Sequence, residues 1–418
     1  MYKIRIFFVV VILFAVSQLS VGQNNTNSPY TRFGYGDVTE SVSTESRGKG
    51  GIAIGTRSSG AINPENPASY SSVDSLTFMF DVATSFRYSR FSSGTLSNQT
   101  LNANLEYITM RFPVAKNLGI SAGLIPYSFL GYNFLTNDSV TMPVYGGEDP
   151  KKIYYTQTFT GAGGFSQVYA GLAYKAFDHI SLGVNCYYLF GNISNSRSEV
   201  ESNSSSSTNF VNNQLTVSDV RLRYGLQFFN TFNKRHNVTL GLIYENKTKL
   251  NGSFTSVLNN TTLNEEKNFE LPQMFGVGAN YTLDGRLSLG IDYKTQAWGD
   301  ALFFGKTDSL VNSSRLAVGA EYIPNPYGRK ISDRVIYRIG LNTSSPYYKV
   351  GANQLPKNYG LSLGIGLPIR DNFTNKVSYI NASLEYGKIG STSKLREDYF
   401  KLTISASMNE LWFFKRKL

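Results

Sequence analysis

From Leu76 the chain alternates. Leu76, Phe78, Phe80, Val82, Thr84, Phe86 and Tyr88 are interleaved with Thr77, Met79, Asp81, Ala83, Ser85, Arg87 and Ser89. A period of two puts the first set on one face of a strand and the second on the other. The pattern returns along the chain and predicts strands near 75–91, 100–113, 118–134, 164–177, 180–194, 213–231, 236–254, 269–283, 286–301, 313–323, 334–348, 358–369, 376–387 and 398–410. In 286–301, Leu287, Leu289, Ile291 and Tyr293 oppose Ser288, Gly290, Asp292 and Lys294. No helical pattern supplies a layer to seal these apolar faces. A band facing lipid around a polar interior accounts for them, so the fold expected is all-β, a transmembrane antiparallel barrel of about 14 strands.

The connectors give the barrel a direction. After the second strand every other connection is short, at 114–117, 178–179, 232–235 and 284–285. Those between are longer and polar, at 136–163, 195–212 and 255–268. Short periplasmic turns with longer outer loops are the outer-membrane arrangement. An even strand number returns both barrel ends to the periplasmic side. The turn at 324–333 is longer than this rule favours.

Composition refines the picture. Lys3 and Arg5 precede an apolar run over 6–16, and Ser20-Val21-Gly22 offers a small-residue cleavage site. No other run approaches the ~18 apolar residues of a spanning helix. The expected layout is a signal peptide over 1–22, an N-terminal hatch segment over 23–74 and the barrel over 75–418. The 28 Tyr, 28 Phe and 38 Gly suit interfacial girdles and crowded lumen positions, and only 17% of residues are charged. The lone Cys186 falls on an apolar strand face and reads as a small packed residue. The net charge of +11 is scattered, so nucleic acid is not an expected partner; the charge reads as solubilising charge at the rims in preference to attraction for anionic headgroups, and outer-membrane lipids are expected partners of the wall.

Ahead of the first strand lie Gly48-Lys49-Gly50-Gly51 and then Asn63-Pro64-Glu65-Asn66-Pro67-Ala68. The glycines lack the lysine-serine ending and the strand–helix setting of a phosphate loop. A turn-rich segment of roughly 50 residues can fold back into a lumen of this strand count. Charges at inward positions, notably Asp81, Arg87, Glu106, Arg221, Arg223, Glu245 and Arg338, form a lumen network or offer an arginine to a carboxylate; the network is the preferred reading. His179 and His236 fall at short turns, which leaves no triad or zinc cluster. The protein is read as a non-enzyme that needs no cofactor or metal.

The glycine-rich stretch followed by Asn66-Pro67-Ala68, the strand count and the start Ser28-Pro29-Tyr30-Thr31-Arg32-Phe33-Gly34 resemble the FadL-type outer-membrane transporters, in a Bacteroidetes-like branch. Trp412-Phe413-Phe414 and the basic ending resemble the same branch. The resemblance implies a hatch in the lumen and passive transport of hydrophobic, long-chain-fatty-acid-like molecules. Their exit would be lateral, through a kink in the third strand. Gly123 and Pro126 interrupt that strand here, because proline lacks the ladder N–H. They mark a lateral gate or a simple bulge. The alternative function is a non-transporting barrel that serves as subunit or shuttle of an outer-membrane assembly or secretion complex. Partners are therefore a hydrophobic ligand or lipid, or the other subunits of such a complex. Either way the location is the outer membrane of a Gram-negative bacterium.

Overall fold

The computed structural model describes residues 25–142, 151–201, 207–259, 261–265, 267–350, 353–370, 376–391 and 395–412. The expected signal peptide over 1–22 and the basic ending at 415–418 lie outside them. Fourteen antiparallel strands form the wall: β1 (Thr77–Ser93), β2 (Leu96–Ala115), β3 (Leu118–Met142), β4 (Lys151–Ala176), β5 (Ile180–Glu201), β6 (Ser207–Phe232), β7 (His236–Glu245, resumed at Gly252–Leu258), β8 (Thr261–Glu265, resumed at Met274–Leu283), β9 (Leu287–Gln296), β10 (Ser313–Tyr322), β11 (Ile336–Ser344), β12 (Asn358–Arg370), β13 (Val377–Gly390) and β14 (Arg396–Leu411). Pairing of β1 with β14, from Thr77↔Leu411 to Ser92↔Arg396, closes the barrel. Closure satisfies backbone groups that lipid cannot.

The alternation sorts side chains as its period requires. Leu172, Leu182, Val220, Leu240, Leu289, Ile339 and Leu363 stand exposed on the outer face, while Ser121, Asn185, Gln227, Ser362 and Thr403 are buried inside. At the rim where β1 starts and β14 ends, Trp412 stacks on Phe78 at 4.4 Å, a pair suited to the membrane interface. Cys186 is exposed on the outward face between Tyr187 and Asn185, which point inward; it faces the lipid rather than packing in a core.

The outer loops differ from expectation. Most of 136–163 and 195–212 is strand, because β3, β4, β5 and β6 run 25, 26, 22 and 26 residues. A tilted span needs only ~9–11. Above the lipid neither face has to be apolar, so Asn, Ser and Thr carry the ladder onward without the pattern that marked it lower down. Within 255–268 too, two strand pieces meet at Leu258↔Thr261. Opposite this tall wall, β9, β10 and β11 have only 10, 10 and 9 residues. There the connectors turn inward and bury Trp298, Leu310, Tyr347 and Tyr348.

Residues 25–73 thread the interior. They contain the 3-10 turn Pro29–Arg32, the strand Asp37–Val38, the helix Thr44–Gly48 capped by Ser43, and the 3-10 helix Pro67–Ser72 capped by Asn66. Inward glycines of the wall make room for this backbone. A Cβ on Gly340 would lie 2.0 Å from the Gly50 nitrogen, and one on Gly183 would lie 2.4 Å from the Pro67 carbonyl carbon.

Candidate functional site: a filled lumen and an unzipped wall seam

The Asn-Pro region is held by buried amides. Asn63 Nδ2 donates to the carbonyls of Ala53 (2.7 Å) and Thr56 (3.1 Å). The Pro64 carbonyl accepts from Asn185 Nδ2 at 3.0 Å and from the Tyr187 hydroxyl at 3.1 Å. Asn66 spans both sides of the turn: its Oδ1 accepts from the Ala68 N–H (3.1 Å) and its Nδ2 donates to Ile54 (2.8 Å). Pro67 opens the 3-10 helix where its missing N–H costs nothing, and the Ala68 carbonyl accepts from Ser181 Oγ at 2.7 Å. Both Asn-Pro steps are thus in use. Beside them Asp292 Oδ2 accepts from the N–H groups of Ala53 (2.6 Å) and Ile54 (2.7 Å). Asp292→Ala would orphan two buried donors, and a loss of about 1–3 kcal/mol per unsatisfied group is expected, read from exchange protection of those amides.

The charged residues named from the sequence all face the lumen, but many of their partners come from residues 25–73. Glu106 meets Arg47 at 2.7 Å and Lys401 at 2.7 Å. A bulge pairs Ala83 with Tyr107 and Thr84 with Leu105, so Glu106 is the extra residue and points inward beside Tyr107. Arg87 bridges Asp37 (3.0 Å) and Glu397 (2.8 Å). Glu245 binds Arg221 at 2.7 Å and also Arg223; Arg223 reaches Glu65 at 2.8 Å. Lys294 holds Glu65 at 3.0 Å and also Glu40. Arg338 pairs with Glu321 at 2.7 Å, and Lys49 approaches the same carboxylate at 3.5 Å. Asp81 instead accepts a hydrogen bond from the Tyr107 hydroxyl at 3.1 Å. Burial would raise the Glu65 carboxyl, but Arg223 and Lys294 outweigh it and hold it at about 2. Sequence reading missed Glu40, Arg47, Lys49 and Glu65, whose only signal was charge in a segment expected inside the barrel.

The wall is unzipped at one seam. β2 and β3 pair from Ala115↔Leu118 to Ile108↔Leu124. Beyond that point, among the described residues, 96–107 pair only with β1, and 125–142 pair with β4 and with Asp37–Val38. Gly123 faces Thr109 one position before the ladder stops, and Pro126 lies two positions past it. A bulge between Pro126 and Ser128 shifts the inward set from Ile125 and Tyr127 to Ser128, Leu130 and Tyr132. The inner side of the seam is lined by the N-terminal segment. Asp37 and Val38 pair with Phe129 and Ser128, and Thr39 donates through its N–H to Tyr127 (2.9 Å) and through Oγ1 to Pro126 (2.7 Å).

Two cavities flank this arrangement. A central one of about 160 Å³ is lined by Arg87, Arg221, Arg223, Glu245, Lys294 and Arg315 together with Val38, Tyr127, Tyr347, Tyr348 and Ile389, a mixed setting. A second, of about 320 Å³, lies toward the tall end among Tyr132, Phe159, Ile193, Leu215, Phe254 and Phe304, with the Arg32 guanidinium 4.1 Å over the Phe159 ring. The charged groups line the central cavity, and the cavity toward the tall end is lined mainly by aromatic and aliphatic side chains.

The model of one protein family, BamG, matches residues 1–418. The chain belongs to the BamG family. No curated protein matches it. Among solved structures, a Pseudomonas aeruginosa FadL homologue is similar at 13% identity with a TM-score of 0.58, over 90% of this chain and 99% of that one. The Ralstonia pickettii toluene transporter TbuX is similar at 15% identity with a TM-score of 0.57, over 87% and 96%. These likenesses show that this BamG-family chain has the FadL-type outer-membrane barrel fold. In it the lumen is filled by residues 25–73, with ion pairs at mid-depth and an aromatic cluster above, where Tyr35 packs on Trp298 and Phe303.

Proposed function

We propose that this protein is a closed, plugged barrel that serves as a structural subunit of an outer-membrane protein assembly complex. The observation that carries the closed state is the buried ion network tying the N-terminal segment to the wall through Glu106, Arg223, Lys294 and Arg338. An apolar solute crossing that network would have to displace paired charges, and breaking one buried pair costs about 3–5 kcal/mol. Membership of the BamG family points the same way for the partners. Purification of the full chain in gentle detergent tests the reading. Stoichiometric protein partners are expected, and a lone barrel carrying lipid would argue against it.

A second reading is favoured by the unzipped seam. A hydrophobic molecule captured in the aromatic cavity would leave sideways past Pro126, with residues 37–39 as the shutter, and would not cross the ion network. The substrate would be apolar with an anionic end, matched to Arg32. Pro126→Ala restores an N–H and favours a continuous ladder. Under this second reading it lowers uptake of a hydrophobic probe at unchanged barrel abundance. Under the structural reading uptake stays at the level of cells lacking the protein, with or without the substitution.

A further inference from the structure

At the end that carries both barrel termini, a cavity of about 1,040 Å³ opens beneath the Pro67–Ser72 helix. Arg57, Lys116 and Lys175 line it together with Phe112, Phe229 and three serines; among the described residues no carboxylate lines it, and Asp74, between the lining Val73 and Ser75, is exposed and acts on Arg111. Most of the lumen's basic groups have acidic partners, as the pairs of Arg87, Arg223, Lys294 and Arg338 show. Arg57 differs. Its guanidinium lies 4.0 Å over the Phe229 ring and donates to the Ala68 carbonyl (3.2 Å), Gln227 Oε1 (3.3 Å) and Ser71 Oγ (3.0 Å), all neutral. These contacts fix its position and leave its charge uncompensated. Burial lowers it to about 10, with no opposing anion. Behind it Arg111 is fully buried on the Ser58 and Ser59 carbonyls, at 3.0 and 2.6 Å, and adds a second charge of the same sign.

We propose that this mouth is the docking pocket for an acidic segment of a periplasmic partner protein, with carboxylates on Arg57, Lys116 and Lys175 and an apolar side chain against Phe229. The assignment rests on the subunit reading above. Charge complementarity selects the occupant, because three cations converge on one cavity whose lining holds no anion. Arg57 is held in advance by its neutral acceptors, which lowers the entropy lost on binding. Lys175 and Phe229 lie on the lumen side of the wall and Arg57 belongs to the plug, while Leu76, Phe112 and Val114 belong to the outer rim, so the pocket opens at the rim of the barrel and the vesicle arm of the test separates a lipid headgroup from an acidic peptide.

The test uses the full chain in detergent and a labelled peptide of alternating glutamate and phenylalanine, at low salt. The wild type is expected to bind it, and to bind a glutamine-for-glutamate version at least tenfold more weakly. Lys116→Glu combined with Lys175→Glu should weaken the acidic peptide at least tenfold, and Arg57→Gln should weaken it severalfold. Lys152→Glu, at the opposite end, should leave it unchanged. Unheated gel mobility reports that each barrel is folded. Equal binding by the wild type and the double variant, or no binding at all, overturns the proposal. So does preferential capture of phosphatidylglycerol vesicles that the same substitutions abolish. If partners co-purify while the peptide fails to bind, the pocket assignment falls and the subunit reading stands; if no partner co-purifies, that reading falls on its own.

Discussion

Glu65→Ala should unseat residues 25–73 from the lumen, with a loss of about 3–5 kcal/mol for breaking a buried ionic contact. Glu65 is nearly inaccessible, and among the described residues it alone joins Arg223 of β6 to Lys294 of β9. Without it, Arg223 keeps Glu245 and the backbone carbonyl of residue 65, and Lys294 keeps Glu40. Exchange protection at Ala53, Ile54 and Ala68 should fall, and trypsin should gain access to Arg57. The barrel should still run as a folded species on unheated gels, because Glu65 makes no ladder hydrogen bond. Acid offers an independent check. A carboxyl held at about 2 in the folded state and near the ordinary glutamate value when released stabilises the plug fully above about pH 4.5. That contribution, about 3 kcal/mol, is lost as pH falls toward 2. Wild-type plug protection should decline across this window, whereas the alanine variant, already lacking the group, should change less there.

Gly340→Val and Gly183→Val should expel the same segment by a different route. The added Cβ would sit 2.0 Å from the Gly50 nitrogen in one case and 2.4 Å from the Pro67 carbonyl carbon in the other. Both contacts are with backbone, so no side-chain rotation relieves them. Overpacking of this kind costs about 1–3 kcal/mol or more. Valine is otherwise a good strand residue, so the wall itself should tolerate it. The measurable outcome is ion conductance in planar bilayers: near zero for the wild type, and discrete open levels for the variants. A wild-type-like record from both would mean that the segment does not depend on close contact with the wall.

Much of this architecture was legible in the sequence. The fourteen strands announced themselves because lipid demands an apolar residue at every second position, as in Phe78, Phe80 and Val82. The same logic placed Arg87, Glu106 and Arg223 inside. Above the lipid that demand ends, so the upper parts of β3, β4, β5 and β6 looked like loops. Pairings with the N-terminal segment were not legible either. Nothing in the spacing of Glu65 and Arg223, 158 positions apart, tells that they meet. The inward glycines were counted as crowded lumen positions, but what crowds them, the backbone near Gly50 and Pro67, appears only in three dimensions. At the seam the sequence offered Gly123 and Pro126, and the folded chain adds Asp37–Val38, whose short length gave no strand signal.

The central claim is that the plug is a fixed part of the molecule and not a moving hatch. Ser71 Oγ and Ser181 Oγ lie 2.6 Å apart, across the junction of plug and wall. Ser71→Cys with Ser181→Cys, in a Cys186→Ser background, would pin the segment to the wall by a disulfide, and the paired read-outs are uptake of a hydrophobic probe and recovery of protein partners. The structural account predicts partners recovered in full and uptake no different between oxidised and reduced cells. Uptake that is present in reduced cells and abolished on oxidation would contradict it.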